Sequence, residues 1–269
     1  MPGFGLTMGL TLTWLSIIIL IPLAGLFIKT SELSFDQFWE IISSRRTLNA
    51  LKISFGLAFA AAVFNLFIGL IIVWSLTRYR FPGRRIFDAI VDIPFALPTA
   101  VAGVALTALF AEKGWLGAPL AELGLKVAFT PIGIFVAMIF IGFPFVVRTV
   151  QPVLIDLEIE AEEAAASLGA SRWDIITKVI LPSLTPAILT GFALAFARAV
   201  GEYGSVIFIA GNLPNVSEIA PLLIVIRLSE FRYADATAIA VVMLLVSFVI
   251  IFAINRIQRW AQSRAAAAF

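Results

Sequence analysis

Hydrophobic and charged positions divide the chain into long apolar blocks separated by short polar segments. No charged side chain occurs before Lys29, and uncharged or nearly uncharged runs cover about residues 10–28, 53–77, 93–111, 127–147, 186–210 and 236–255. Each run is long enough to carry a helix across a hydrocarbon layer of about 30 Å, which needs roughly 20 apolar residues. The runs are continuous rather than alternating, so the pattern predicts an all-α membrane protein with six spans instead of a β-barrel. The first run lacks a basic start and a small-residue cleavage pattern and reads as a retained helix. Pro94, Pro98 and Gly103 fall inside the third run, where they mark a kinked entrance or a lining of a path. Trp39, Trp115 and Trp260 lie near expected span ends, as interfacial anchors do.

One polar segment differs from the others. About 35 residues between the fourth and fifth runs carry too many charges to enter the bilayer, yet residues 156–168 are rich in Ala, Glu and Leu and read as helix. Gly169 ends that helix, and Ser171 with Asp174 three residues on opens a second. Pro182 and Pro186 are expected to restart the chain into the fifth span. This polar segment is therefore placed at about residues 155–182, the only loop on its side long enough to dock a partner. Its helix needs to be rigid and to approach a partner closely. Ala164, Ala165 and Ala166 supply small side chains for this, and Glu162 and Glu163 offer carboxylates to basic groups. A lipid-surface helix would instead present a basic face.

Composition sharpens the picture. Of 269 residues, 61% are hydrophobic and 13% charged, about half the charge a soluble domain carries; the mean hydropathy is +1.04. The membrane lipid is thus a partner in its own right. There is no cysteine and no histidine, which removes disulfides, thiol nucleophiles, imidazole bases and the commonest transition-metal ligands. No phosphate-cradling G-x-x-x-x-G-K-[ST] loop and no Gly-x-Ser-x-Gly elbow occur. The chain therefore reads as a transport subunit with no catalytic residues, metal or bound cofactor, and any ATP would be hydrolysed on partner subunits. A net charge of +2 does not point to nucleic acid; it fits basic cytoplasmic loops. Placing both termini in the cytoplasm collects ten Arg and Lys residues on that side against eight on the other. The basic Arg78–Arg85 cluster and the C-terminal tail favour this orientation.

Within the fifth run stand Arg198 and Glu202, four residues apart and so on one helix face. Ionisable groups inside a span are functional candidates by default. Two readings stay open: an ion pair that fixes packing, or a contribution of Arg198 to an anion pathway that Glu202 offsets. Gly201 and Gly204 flank the pair and permit close approach or a bend.

The polar segment between the fourth and fifth runs, Glu163-Ala164-Ala165 with Gly169 four residues on and Val179-Ile180-Leu181-Pro182 after it, resembles the EAA loop of ATP-binding-cassette importer permeases. Only Val179, in place of the usual isoleucine, departs from the pattern. The stretch from Ala197 to Asn212, with Arg198-Ala199-Val200-Gly201-Glu202-Tyr203-Gly204-Ser205, resembles the T-type permeases of bacterial sulfate/thiosulfate importers. Asp92-Ile93-Pro94-Phe95-Ala96-Leu97-Pro98-Thr99 and Glu218-Ile219-Ala220-Pro221-Leu222-Leu223 agree with it, and the resemblance runs from about residue 48 to 260.

This resemblance implies a six-span permease of the bacterial cytoplasmic (inner) membrane whose loop, with Glu162, Glu163, Ala164, Ala165, Gly169, Leu181 and Pro182, couples to ATPases. It implies heterodimeric pairing with a paralogous permease, two ATP-binding-cassette ATPase subunits and an extracytoplasmic sulfate-binding protein. Sulfate, with thiosulfate, is the expected cargo. A related permease for molybdate or tungstate is the near alternative, and a self-sufficient secondary transporter the distant one. Secondary transporters commonly carry inverted repeats, and none is visible between the first and last three runs.

Overall fold

The computed structural model describes residues 3–266, with side chains up to Arg259; the Trp260 anchor and the basic Arg264 lie outside the described side chains. Every regular element among the described residues is helical. Five helices are long and apolar enough to cross a membrane: α1 (Phe4–Thr30), α3 (Arg45–Arg78), α8 (Pro131–Asp156), α10 (Arg172–Val200) and α13 (Tyr233–Ala266). Between them lie α2 (Phe35–Ser43), α4 (Arg84–Val91), α5 (Ile93–Ala96), α6 (Thr99–Phe110), α7 (Gly117–Glu122), α9 (Ile159–Ser167), α11 (Val206–Ile209) and α12 (Ala220–Ser229).

The third apolar run is not one helix. Leu97 and Pro98 are extended, with ψ of 130° and 135°, and separate α5 from α6. Proline explains the break, because its ring excludes the helical conformation from the residue before it. The fifth run differs from expectation at both ends. Its helix starts at Arg172, passes Pro182 and Pro186 without interruption, and stops at Val200 instead of continuing to 210. A wide π-type turn over Ile176–Ile180 precedes Pro182, and another over Ser16–Leu20 precedes Pro22. Proline lacks the N–H of a helical turn and its ring presses on the carbonyl four residues back. Widening the turn accommodates it and preserves the helix.

The core is the three-way packing of α3, α8 and α10. α3 presents Ala58, Ala61, Ala62, Asn65, Gly69, Val73 and Leu76, all buried, at three- and four-residue spacing. Lipid tails are as apolar as leucine, so hydrophobicity alone does not drive such helices together. Close packing does, and small residues permit it. α8 answers with Gly133, Ala137, Met138, Ile141, Gly142 and Val146. By contrast α1, equally apolar, has no buried residue and packs mainly against α13.

Candidate coupling segment and intramembrane site

At one end of the bundle the chain leaves α8 through extended Leu157, forms α9, and turns at Gly169. Gly169 has φ +86°, and a Cβ built there would meet nothing within 4 Å. Its requirement for glycine is therefore conformational, since L-residues reach that region only with strain. Ser171 opens α10 with a capping box: its hydroxyl accepts from the Asp174 N–H at 3.2 Å, and Asp174 accepts from the Ser171 N–H at 3.3 Å. Glu163 and Ala164 are exposed, and Ala165 is half-buried. Leu168 and Trp173 stand out from the tip at 89% and 72% exposure. Leu181 and Pro182 are exposed within α10, just past its wide turn.

Glu162 is placed otherwise than the sequence implied. Instead of facing outward beside Glu163, its carboxylate accepts from the Arg78 guanidinium at the last residue of α3. That guanidinium also lies 5.8 Å from the centre of the Trp74 ring, close enough for a cation–π contact.

A second charged cluster went unread in the sequence. Arg148 on α8 donates to both carboxylate oxygens of Asp92, to Asp88 Oδ1, to the Asp88 carbonyl and to Gln151 Oε1, all at 2.7 Å. This fixes α4, an amphipathic helix with Arg84, Arg85 and Asp88 on its polar side, against α8 just before the break at Leu97–Pro98. Partial burial pushes the Asp88 carboxyl up, but hydrogen bonds from Arg148 and Gln151 outweigh it and leave the group below its usual range. Arg148 is the first charge after an apolar run of 21 residues. That position was the available signal, yet its partners lie about 60 residues away and no spacing rule connects them.

Farther along α10 the intramembrane pair is formed. Arg198 Nη1 donates to Glu202 Oε2 at 2.6 Å, with side-chain exposures of 34% and 2%. Gly142 faces Ala195, one turn before Arg198, which sets the pair near the middle of the apolar run of α8. Because α10 ends at Val200, Glu202 occupies a turn and not the same helix. Its other oxygen accepts from the Ser205 N–H at 2.7 Å and the Ser205 hydroxyl at 2.8 Å, so the carboxylate also organises the start of α11.

This turn rests on α6. A Cβ at Gly103 would lie 2.5 Å from the Ser205 carbonyl oxygen, and one at Gly204 would lie 2.2 Å from the Thr99 hydroxyl. Both glycines are required by close approach. The break that ends α5 and the break that ends α10 are thereby brought side by side. Discontinuous helices meeting within a membrane are a recurrent feature of transport sites. Pro98, Ala100, Ala197 and Gly201 around them are exposed in the single chain. A further ion pair, Arg46 with the buried Glu218 at 2.6 and 2.7 Å, joins the start of α3 to the segment before α12 at the opposite end of the bundle.

The family described as "Binding-protein-dependent transport system inner membrane component" matches residues 66–266. The chain is 49% identical over 258 residues to the sulfate transport system permease protein CysT of Escherichia coli (strain K12), covering 96% of this chain and 93% of that protein. It is 50% identical over 251 residues to the CysT of Synechococcus elongatus, covering 93% and 90%. Among solved structures it superposes on a chain of a bacterial alginate ABC transporter, crystallised with an alginate pentasaccharide-bound periplasmic protein. That superposition has a TM-score of 0.78 at 21% identity and covers 96% of this chain and 94% of the other, a likeness of fold.

Proposed function

The chain belongs to the family of binding-protein-dependent transport system inner membrane components, and from that premise we propose that it is one permease of an ATP-driven importer for sulfate, with thiosulfate. The observation that carries this is the identity of about half, over nearly the whole length, to permeases named for sulfate transport. In this reading both termini and the segment from α9 into α10 are cytoplasmic. A paralogous permease completes the pathway, two ATPase subunits hold and hydrolyse ATP, and an extracytoplasmic protein delivers the anion. Glu163, Ala164, Ala165 and Gly169 form the face and turn that meet the ATPase, with Leu181 and Pro182 seating α10 behind them.

The cargo chemistry fits the site modestly, and that suits a conduit. A dehydrated dianion is held tightly by converging N–H donors such as helix N-termini. Here Arg198 contributes one guanidinium, partly exposed and largely offset by Glu202. Tight capture then belongs to the delivering protein, and the paired breaks beside Arg198 offer a path with weak hold.

The test is uptake of radiolabelled sulfate in bacteria lacking their own T-type permease but retaining the other components. Expression of this chain restores ATP-dependent uptake that excess thiosulfate inhibits. Restored molybdate uptake without sulfate uptake would move the cargo to another oxyanion. Uptake that persists without the ATPase would remove the importer reading.

A further inference from the structure

We propose that the Arg78–Glu162 pair is the strut through which movement of the coupling segment reaches the central helix α3, and that Arg78 and Glu162 are positioning residues of transport. This rests on the importer reading and deepens it. α9 is joined covalently to α8 through Leu157 and to α10 through Gly169 and Ser171, so two of the three core helices follow it by chain connectivity. α3 has no such connection. The link from Glu162 to Arg78 crosses 84 residues of sequence and is, among the described residues, the one side-chain hydrogen bond from α9 to another helix.

The geometry favours transmission over a loose surface contact. Both side chains are largely shielded, at 17% and 22% exposure. Arg78 terminates α3, where a cation complements the negative end of the helix dipole. Its guanidinium is a flat fork braced by the Trp74 ring, so it has little freedom to absorb a displacement of α9. Directly behind it, Val73 and Leu76 are buried in the core. A shift of α9 therefore presses on the end of a helix packed against both α8 and α10. Glu162 and Glu163 divide the work: one turns inward to α3 and the other stays exposed for the ATPase.

The experiment uses the complete transporter in proteoliposomes, with sulfate moved per ATP hydrolysed as the readout and reconstituted protein normalised by amount. Wild-type complex that moves no sulfate would count against the importer reading and not against the strut. With an active wild type, Arg78→Glu and Glu162→Arg each keep ATP hydrolysis but lower sulfate per ATP at least about fivefold, the low end of ordinary coupling free energies. The exchanged double variant recovers most of the loss. Wild-type stoichiometry in the single variants, or an exchange no better than either, would overturn the proposal.

Because the chain has no cysteine, a second route avoids charge reversal and any failure of those variants to assemble. In the Arg78→Cys, Glu162→Cys protein a short bis-methanethiosulfonate reagent joins the two thiols through reducible disulfides, releasing methanesulfinate, and so replaces the ion pair. Linking raises sulfate per ATP, and reduction returns it to the low value. A linked protein that hydrolyses ATP but does not transport would show that α9 and α3 must separate, and would overturn the strut.

Discussion

Two ion pairs separate what is local in this molecule from what is long-range. Arg198 and Glu202 lie four residues apart inside the membrane and hold together a break between α10 and α11. Arg78 and Glu162 lie 84 residues apart at the bundle's end and hold two helices in register. The first pair buries a carboxylate, and a Glu202 left without its partner would be a desolvated charge. The second is largely shielded yet not fully buried, so its value lies in the motion it transmits more than in stability. The same chemistry thus serves to fix a turn in one place and to link moving parts in the other.

The largest expected effect comes from the coupling side. Replacing Gly169 with valine forces a β-branched residue to φ +86°, at a cost of about 1–3 kcal/mol that reorienting the turn relieves. Since the space around Gly169 is open, the protein inserts and accumulates normally, while sulfate uptake falls by at least about tenfold. Normal uptake by an inserted Gly169→Val protein would contradict the role of this turn.

The intramembrane side shows next. Arg198→Ala strands the Glu202 carboxylate and lowers stability by about 3–5 kcal/mol, read as earlier thermal unfolding of the purified assembly. Changing Arg198 and Glu202 together to alanine and glutamine costs less than Arg198→Ala alone. A double variant less stable than the single one would remove the ion-pair reading.

A smaller effect follows from the helix contact behind that pair. Gly103→Ala drives a methyl into the Ser205 carbonyl and costs about 1–3 kcal/mol by overpacking. Both stability and uptake should fall with it, whereas Gly56→Ala, where a Cβ meets nothing within 4 Å, serves as the neutral control.

The smallest is a pH effect expected to be absent in the ordinary range. The Asp88 carboxyl is lowered in the folded chain, so its contribution is complete above its unfolded pKa and is lost only as pH falls through the lowered folded value. Hydrogen exchange along α4, corrected for intrinsic rates, should therefore show unchanged protection between about pH 7 and pH 5. Loosening of α4 within that window would mean that Arg148 does not hold it.

Local patterns were legible in the sequence, and long-range partners were not. Gly169, the Ser171–Asp174 cap and the apolar runs are each written within a few residues, and the fold places a turn, a helix start and, for five of the six runs, a long apolar helix there. Proline was read less well, because its effect depends on the neighbouring turn. Pro98 breaks the third run completely, whereas Pro182 is absorbed by the wide turn over Ile176–Ile180. Glu162 and Glu163 looked equivalent in sequence, and only the end of α3 distinguishes them. Arg148 and Arg46 have no carboxylate partner within reach along the sequence, and only the fold brings Asp88, Asp92 and Glu218 to them. Glu202 was assigned to the helix of Arg198, but the chain has already turned, which adds Ser205 to its partners.

If this chain is one non-identical half of an ATP-driven pathway, the composition of its native assembly is fixed and can be read. The tagged chain would be extracted gently from its native membrane and the stoichiometric partners identified by mass spectrometry. The expected assembly holds one copy of this chain, one paralogous permease and two copies of an ATPase bearing a phosphate-binding loop. A lone chain, or a homodimer without an ATPase, would contradict it.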